Sequence, residues 1–84
     1  MSFLGLPQEV ISKKPKITIT GFEEIFIENF IGILEYEDFF TRIKTKIGII
    51  TINGFNLKLN QMTEEDMLVT GIIESLDFEK ERND

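Results

Sequence analysis

Apolar and polar residues alternate along most of this chain, and the alternation stops repeatedly at a glycine. Residues 17–22 read ITITGF, residues 50–55 read ITINGF, and residues 67–72 read MLVTGI. β-Branched residues in alternation are typical of a strand with one buried face, and the glycine indicates a turn, kink or bulge. One short strand unit is therefore used three times.

The alternation predicts an all-β fold of short strands. Within residues 24–28, for example, Ile25 and Ile27 share one face and the residue between them takes the other. Turn-forming pairs such as Asn53-Gly54 separate the strands, so neighbours are expected to pair as antiparallel hairpins. The predicted strands cover residues 16–20, 24–28, 32–37, 40–46, 48–53, 56–60, 66–70 and 72–78.

These strands predict a small two-sheet antiparallel β-sandwich of about seven or eight strands. The internal repeat leaves a β-roll or solenoid-like stack as the alternative, in which Gly21, Gly54 and Gly71 would form one spatial column. The pattern divides the chain into an N-terminal arm over residues 1–15, a β-domain over residues 16–78, and an acidic, flexible tail over residues 79–84.

The N-terminal arm spaces its apolar residues as a short helical turn beginning near Pro7 would require. Such an arm either straps onto the β-domain or docks on another molecule. A second apolar feature follows Asn29, a residue type that tolerates left-handed backbone and so fits a turn. Packing under the sheet and contact with a partner both remain open there. The candidate partner-binding residues are Phe3, Leu4, Leu6, Phe30 and Ile31.

Composition narrows the possible functions. The 84 residues contain no Cys and no His, which removes disulfides, the common zinc ligand sets and triad-type nucleophilic catalysis. A net charge of −6 disfavours binding to nucleic acid or to an anionic membrane surface. No apolar run approaches the roughly 20 residues that span a bilayer, so a cytosolic protein is expected.

Carboxylates are the remaining candidates for chemistry. Glu28 with Glu35, or Glu24 with Asp38, could form the pair that a glycosidase needs. Acidic residues at strand ends also keep edges soluble, which is the simpler explanation. The acidic run over residues 63–66 forms either a turn or one capped helical turn, and it lacks the order of an EF-hand calcium loop. We expect no enzyme, no cofactor and no metal.

Several segments in fixed order carry a resemblance to a known family. They include PKITITG over residues 15–21, IENFIGILEY over residues 27–36 and LGLPQEVI over residues 4–11. Further matches are RIKT over residues 42–45, the Asn53-Gly54 pair and Thr70-Gly71. In this combination the chain resembles the YabP/YqfC family of sporulation proteins, and the YqfC branch fits best.

The resemblance implies a small protein of the mother-cell cytoplasm in endospore-forming Firmicutes, with the forespore outer membrane as a peripheral location. It implies a protein-interaction or assembly role beside a membrane protein encoded nearby, or in a homo-oligomer, and no catalytic residue. The alternative function is a glycan-binding or carboxylate-dependent domain active on the spore cortex. Exposed aromatics in a groove or two carboxylates in a pocket would favour that alternative.

Overall fold

The computed structural model describes residues 14–80, apart from the Gln61 side chain. The predicted contact residues Phe3, Leu4 and Leu6 lie outside the described residues, as do residues 81–84 of the expected tail. Residues 79 and 80, the start of that tail, are the last residues of a strand.

Six strands form one antiparallel sheet, so the predicted all-β class is confirmed. The strand order across the sheet is β1-β2-β6-β5-β4-β3, and every neighbouring pair is antiparallel. Because all neighbouring strands pair antiparallel in one sheet, the strands do not form the solenoid-like stack that was the alternative. The strands are β1 (Lys16–Thr20), β2 (Glu24–Glu28), β3 (Phe30–Glu37), β4 (Phe40–Thr45), β5 (Gly48–Met62) and β6 (Asp66–Lys80).

Two long strands explain why there are six strands instead of seven or eight. The predicted strands 48–53 and 56–60 are one strand, β5, and the predicted strands 66–70 and 72–78 are one strand, β6. The prediction of a turn at Asn53-Gly54 is therefore wrong. Gly54 lies inside β5, where the register with β6 shifts, and Gly71 lies inside β6. Both glycines mark bulges in continuous strands.

The bulges divide the sheet into two halves that enclose the core. The first half of β5 pairs with β4, whereas the first half of β6 pairs with β2. Buried residues of both halves belong to one hydrophobic cluster, so the sheet folds over on itself and supplies both layers of a packed domain. The buried members of the core are Ile25, Ile27, Phe30, Ile43, Ile50, Ile52, Leu57, Met67 and Val69.

The edge strand β3 is held by hydrogen bonds at both of its ends. The Phe30 amide donates to the Glu65 carbonyl at 3.0 Å, and the Tyr36 hydroxyl donates to the Leu57 carbonyl in the second half of β5 at 2.8 Å. The other edge strand, β1, pairs with β2 on one side. Within residues 14–80 no strand pairs with its outer side.

The connecting turns follow the local sequence closely. Asn29 has a φ of 65°, which confirms the left-handed backbone predicted between β2 and β3. The Thr63 hydroxyl accepts hydrogen bonds from the Glu65 and Asp66 amides at 3.2 and 3.0 Å. These bonds resemble a helix cap, but the chain enters β6 at Asp66, so the segment forms a turn and not a helical turn.

Candidate functional site

The residue after the glycine is large, apolar and exposed in each of the three repeats. Phe22 is 80% exposed, Phe55 52% and Ile72 54%. We refer to these three residues as the repeat patch. Soluble proteins leave single apolar side chains exposed without consequence, but several at neighbouring positions mark an interaction site.

Backbone pairing brings the three positions of the repeat patch together. Phe55 lies directly opposite Ile72 in the β5–β6 pair. The Ile73 amide donates to the Phe22 carbonyl at 2.9 Å, and the Gly71 amide donates to the Glu23 carbonyl at 3.1 Å. The β1–β2 turn is thereby hydrogen-bonded to the bulge of β6, so residues from three separate repeats meet at one place on the sheet.

The glycines permit the close approach of strands at this place. A Cβ atom on Gly54 would lie 1.9 Å from the Ile72 carbonyl oxygen. A Cβ atom on Gly71, which has a φ of 139°, would lie 2.6 Å from the Asn56 carbonyl oxygen. Neither position accommodates another residue without backbone movement. The glycine is thus a packing requirement at positions 54 and 71, whereas a Cβ atom on Gly21 would meet nothing within 4 Å. The packing does not require the exposed apolar residue that follows each glycine.

Phe39 extends the apolar surface beside the repeat patch. It lies in the β3–β4 turn, is 54% exposed, and its carbonyl accepts a hydrogen bond from the Gly54 amide at 3.0 Å. Its ring centroid is 5.1 Å from that of Phe40, and the two rings are tilted relative to each other, an arrangement that aromatic pairs favour. The turn is therefore held next to the bulge of β5 by its backbone.

The structure separates the candidate residues Phe30 and Ile31. Phe30 is 9% exposed and belongs to the core, whereas Ile31 is 57% exposed. Both lie beside the β5–β6 turn, where a shallow cavity is bordered by Asn29, Lys46 and Glu65 as well. The repeat patch lies at the middle of β5 and β6, so Ile31 is not part of it. Partner contact by either residue stays a prediction.

Of the acidic residues considered for chemistry, Glu35 forms an exposed ion pair. The Glu35 carboxylate lies 3.2 Å from the Arg42 guanidinium, which is also 3.8 Å from Glu79. Exposed pairs of this kind contribute at most about 1 kcal/mol. Among residues 14–80, no group of three or more acidic side chains is arranged to hold a metal ion.

Sequence reasoning misses the repeat patch although its signal is present. Alternation and the glycine define the three repeats, and neither feature draws attention to the residue that follows the glycine. Phe22, Phe55 and Ile72 occupy that same position in each copy. An apolar residue at a turn or bulge, repeated three times, is the pattern that could have identified the patch.

Comparison with known proteins places the chain in a family. The family model described as "YabP family" matches residues 11–84. An uncharacterized protein YqfC from Bacillus subtilis (strain 168) is 32% identical over 71 residues, which cover 84% of this chain and 76% of that protein. No solved structure matches the chain.

The fold is a small all-β domain with an exposed apolar surface, and its family is established. The chain belongs to the YabP/YqfC family. Within residues 14–80 no helix is long and apolar enough to cross a membrane.

Proposed function

We propose that this chain is a non-catalytic sporulation protein that acts as an interaction and assembly module in the mother cell. Its partner in this proposal is a membrane protein encoded nearby, which would bring the chain to the forespore outer membrane as a peripheral component. The single observation that carries the proposal is the repeat patch, where three large apolar side chains are more than half exposed at neighbouring positions.

Leaving these side chains in water costs free energy. Burial of a Phe or Ile side chain is favourable by about 1.5–3 kcal/mol relative to full exposure, so a partner that covers the patch gains affinity. Aromatic residues are also enriched among the residues that dominate binding energy. The β1–β2 turn and the bulges are fixed by backbone hydrogen bonds, and a preformed surface loses little entropy on binding.

Family membership supports the biological setting of the proposal. The resemblance of this chain to the YabP/YqfC family implies a role in endospore formation beside a membrane protein. The repeat patch supplies a surface on which such a partner could dock without any chemistry. A glycan-binding role is the competing function, and the experiment below separates the two.

The test is co-purification from cells that express the tagged chain together with the soluble part of the neighbouring membrane protein. We expect Phe22→Ser to reduce recovery of the partner roughly tenfold, because a binding residue of this kind contributes about 1–2 kcal/mol. Leu34→Ser is the matched control, since Leu34 is 45% exposed and lies on β3, a strand that contributes no residue to the repeat patch. Equal recovery with both variants would contradict the proposal, as would binding of cortex glycan fragments that Phe22→Ser abolishes.

A further inference from the structure

Acidic residues lie beside the repeat patch at two of its three positions. Glu23 follows Phe22 in the chain, and its carbonyl accepts a hydrogen bond from the Gly71 amide, next to Ile72. Glu74 lies in β6 two residues after Ile72. Both glutamates are exposed to solvent. The apolar surface is therefore flanked by negative charge.

The β3–β4 turn brings further carboxylates to the third position. The Leu57 amide donates to the Asp38 carbonyl at 2.8 Å, so Asp38 lies beside β5 two residues after Phe55. Glu37 precedes it at the end of β3, and both acidic residues are exposed. Together with the first residue of β2, these acidic residues form what we call the acidic rim: Glu23, Glu24, Glu37, Asp38 and Glu74.

Most of the excess negative charge of the described chain is concentrated at the acidic rim. Residues 22–24, 37–39, 53–58 and 70–75 contain five acidic residues and one basic residue, a net charge of −4. The rest of residues 14–80 contains seven acidic and six basic residues, a net charge of −1. The negative charge is thus a local property of the surface around the repeat patch.

The charges of the acidic rim are not neutralised within the described part of the chain. Among residues 14–80, no carboxylate of the rim forms an ion pair, whereas Glu35 and Glu79 lie near the Arg42 guanidinium. Carboxylates at neighbouring positions repel one another, and an opposite charge nearby offsets this repulsion. A partner that supplies positive charge would therefore gain affinity here.

We propose that the repeat patch receives a basic amphipathic segment of its partner, with apolar side chains on the patch and Lys or Arg side chains at the acidic rim. The proposal rests on the proposed function and adds the chemistry of the segment that binds. An apolar centre with a polar rim is the usual organisation of an interface. Opposite charges at the rim steer the encounter and select the partner.

The same charges disfavour the other molecules that could cover an apolar patch. Two copies joined patch to patch by two-fold symmetry would bring two acidic rims together, and like charges facing each other across an interface are unfavourable. An anionic lipid surface is repelled for the same reason. An acidic protein segment would cover the patch only against this repulsion. A basic amphipathic segment complements both the patch and the rim.

Three short fluorescent peptides test the chemistry of the segment. The first carries Leu at helical spacing and Lys at the other positions, which gives one apolar and one basic face. The second has Glu in place of Lys, and the third has Ser in place of Leu. At an ionic strength of about 0.1 M, we expect the Lys/Leu peptide to bind the full chain about tenfold more tightly than either of the others, as measured by fluorescence anisotropy.

Matched variants of the chain locate the binding. Glu74→Lys should weaken binding of the Lys/Leu peptide about fivefold. Glu64→Lys makes the same change of charge at an exposed residue of the β5–β6 turn, outside the acidic rim, and should weaken binding less than about twofold. Phe22→Ser should weaken it about tenfold, whereas Phe78→Ser, at an exposed Phe outside the repeat patch, should leave it unchanged.

Three results would overturn the proposal. Equal affinities for the Lys/Leu and Glu/Leu peptides would show that the charge of the segment does not matter. Equal losses for Glu74→Lys and Glu64→Lys would show that the attraction follows the total charge of the chain. Equal affinities for the Lys/Leu and Lys/Ser peptides would show that the repeat patch takes no part. The preference for Lys over Glu should largely disappear at about 1 M salt, where charges are screened beyond about 3 Å.

A failure of this proposal is distinguishable from a failure of the proposed function. If Phe22→Ser weakens peptide binding but exchange of Lys for Glu in the peptide has no effect, the repeat patch is a binding surface and the basic segment is wrong. If Phe22→Ser leaves recovery of the membrane protein unchanged, the proposed function fails, whatever the peptides show.

A milder variant guards against loss of folding. Glu74→Gln removes the charge at nearly constant shape, so it replaces Glu74→Lys if that change disturbs the bulge of β6. Its expected effect is a loss of about twofold in affinity for the Lys/Leu peptide. Circular dichroism of each variant confirms the β-sheet before binding is measured. An unchanged affinity in a folded Glu74→Gln and a folded Glu74→Lys chain would contradict the role of the acidic rim.

Discussion

Phe55 lies directly opposite Ile72 in the β5–β6 pair, and both side chains are more than half exposed. Their neighbours along the strands, Leu57 and Val69, are completely buried. The two bulges therefore mark a change from core to surface within continuous strands. The same sequence repeat that supplies the glycines also supplies the exposed residues.

The repeat patch should contribute to binding and not to folding. Phe22→Ala is expected to change the free energy of unfolding by less than about 0.5 kcal/mol, because Phe22 is 80% exposed. Ile52→Ala should lower it by about 2–5 kcal/mol, because Ile52 is completely buried. Urea unfolding followed by circular dichroism measures both. A large loss in the free energy of unfolding for Phe22→Ala would show that Phe22 contributes to folding.

Gly54 should tolerate no side chain. Gly54→Ala places a Cβ atom against the Ile72 carbonyl, so the β5–β6 pair must shift, and we expect a loss of about 3 kcal/mol in the free energy of unfolding. Gly32→Ala is the control, because a Cβ atom there meets nothing within 4 Å, and its effect should stay within about 0.5 kcal/mol. Similar midpoints in urea for the two variants would show that the close approach is absent.

The buried hydroxyl of Thr45 should stabilise the β4–β5 turn. It donates to the Gly48 carbonyl at 2.7 Å and accepts from the Gly48 amide at 3.2 Å. Thr45→Val keeps the shape and leaves these groups without that partner, which should cost about 2–3 kcal/mol. Thr18→Val on the exposed strand β1 should change the free energy of unfolding by less than about 0.5 kcal/mol. Equal thermal midpoints for the two variants would refute the assignment.

The Tyr36 hydroxyl should hold β3 over the second half of β5. Tyr36→Phe removes one hydrogen bond to the Leu57 carbonyl and should lower the free energy of unfolding by about 1 kcal/mol. Amide hydrogen exchange along β3 should become faster than in the unchanged chain, while exchange along β2 stays the same. Unchanged exchange in β3 would mean that other contacts hold this edge.

Local features of the fold are predictable from the sequence, but features set by distant pairing are not. Residues 16–20 and 24–28 form strands where alternation predicts them, and Asn29 adopts the left-handed backbone its residue type allows. The sequence predicts a turn at Gly54 because a glycine after Asn usually ends a strand. The actual role of Gly54 depends on the Ile72 carbonyl, which lies across the sheet.

In the candidate site, too, local features are predictable from the sequence and features set by distant pairing are not. Phe30 and Ile31 are adjacent on β3, so alternation places them on opposite faces, but which face is buried is set by the rest of the sheet. The repeat patch joins residues from three parts of the chain, and the register of β5 with β6 determines that Phe55 meets Ile72. The sequence shows an apolar residue after the glycine of each repeat, but it does not show that these three residues lie at neighbouring positions on the sheet.

Gel filtration coupled to light scattering tests the central claim most directly. The chain is measured alone and then mixed with the soluble part of the membrane protein encoded beside it, and Phe22→Ser combined with Phe55→Ser is measured in the same way. We predict a complex that forms with the unchanged chain and is lost with the double variant, while the variant alone elutes as the unchanged chain does. A complex of equal stability with the double variant would contradict the assignment of the repeat patch as the binding surface.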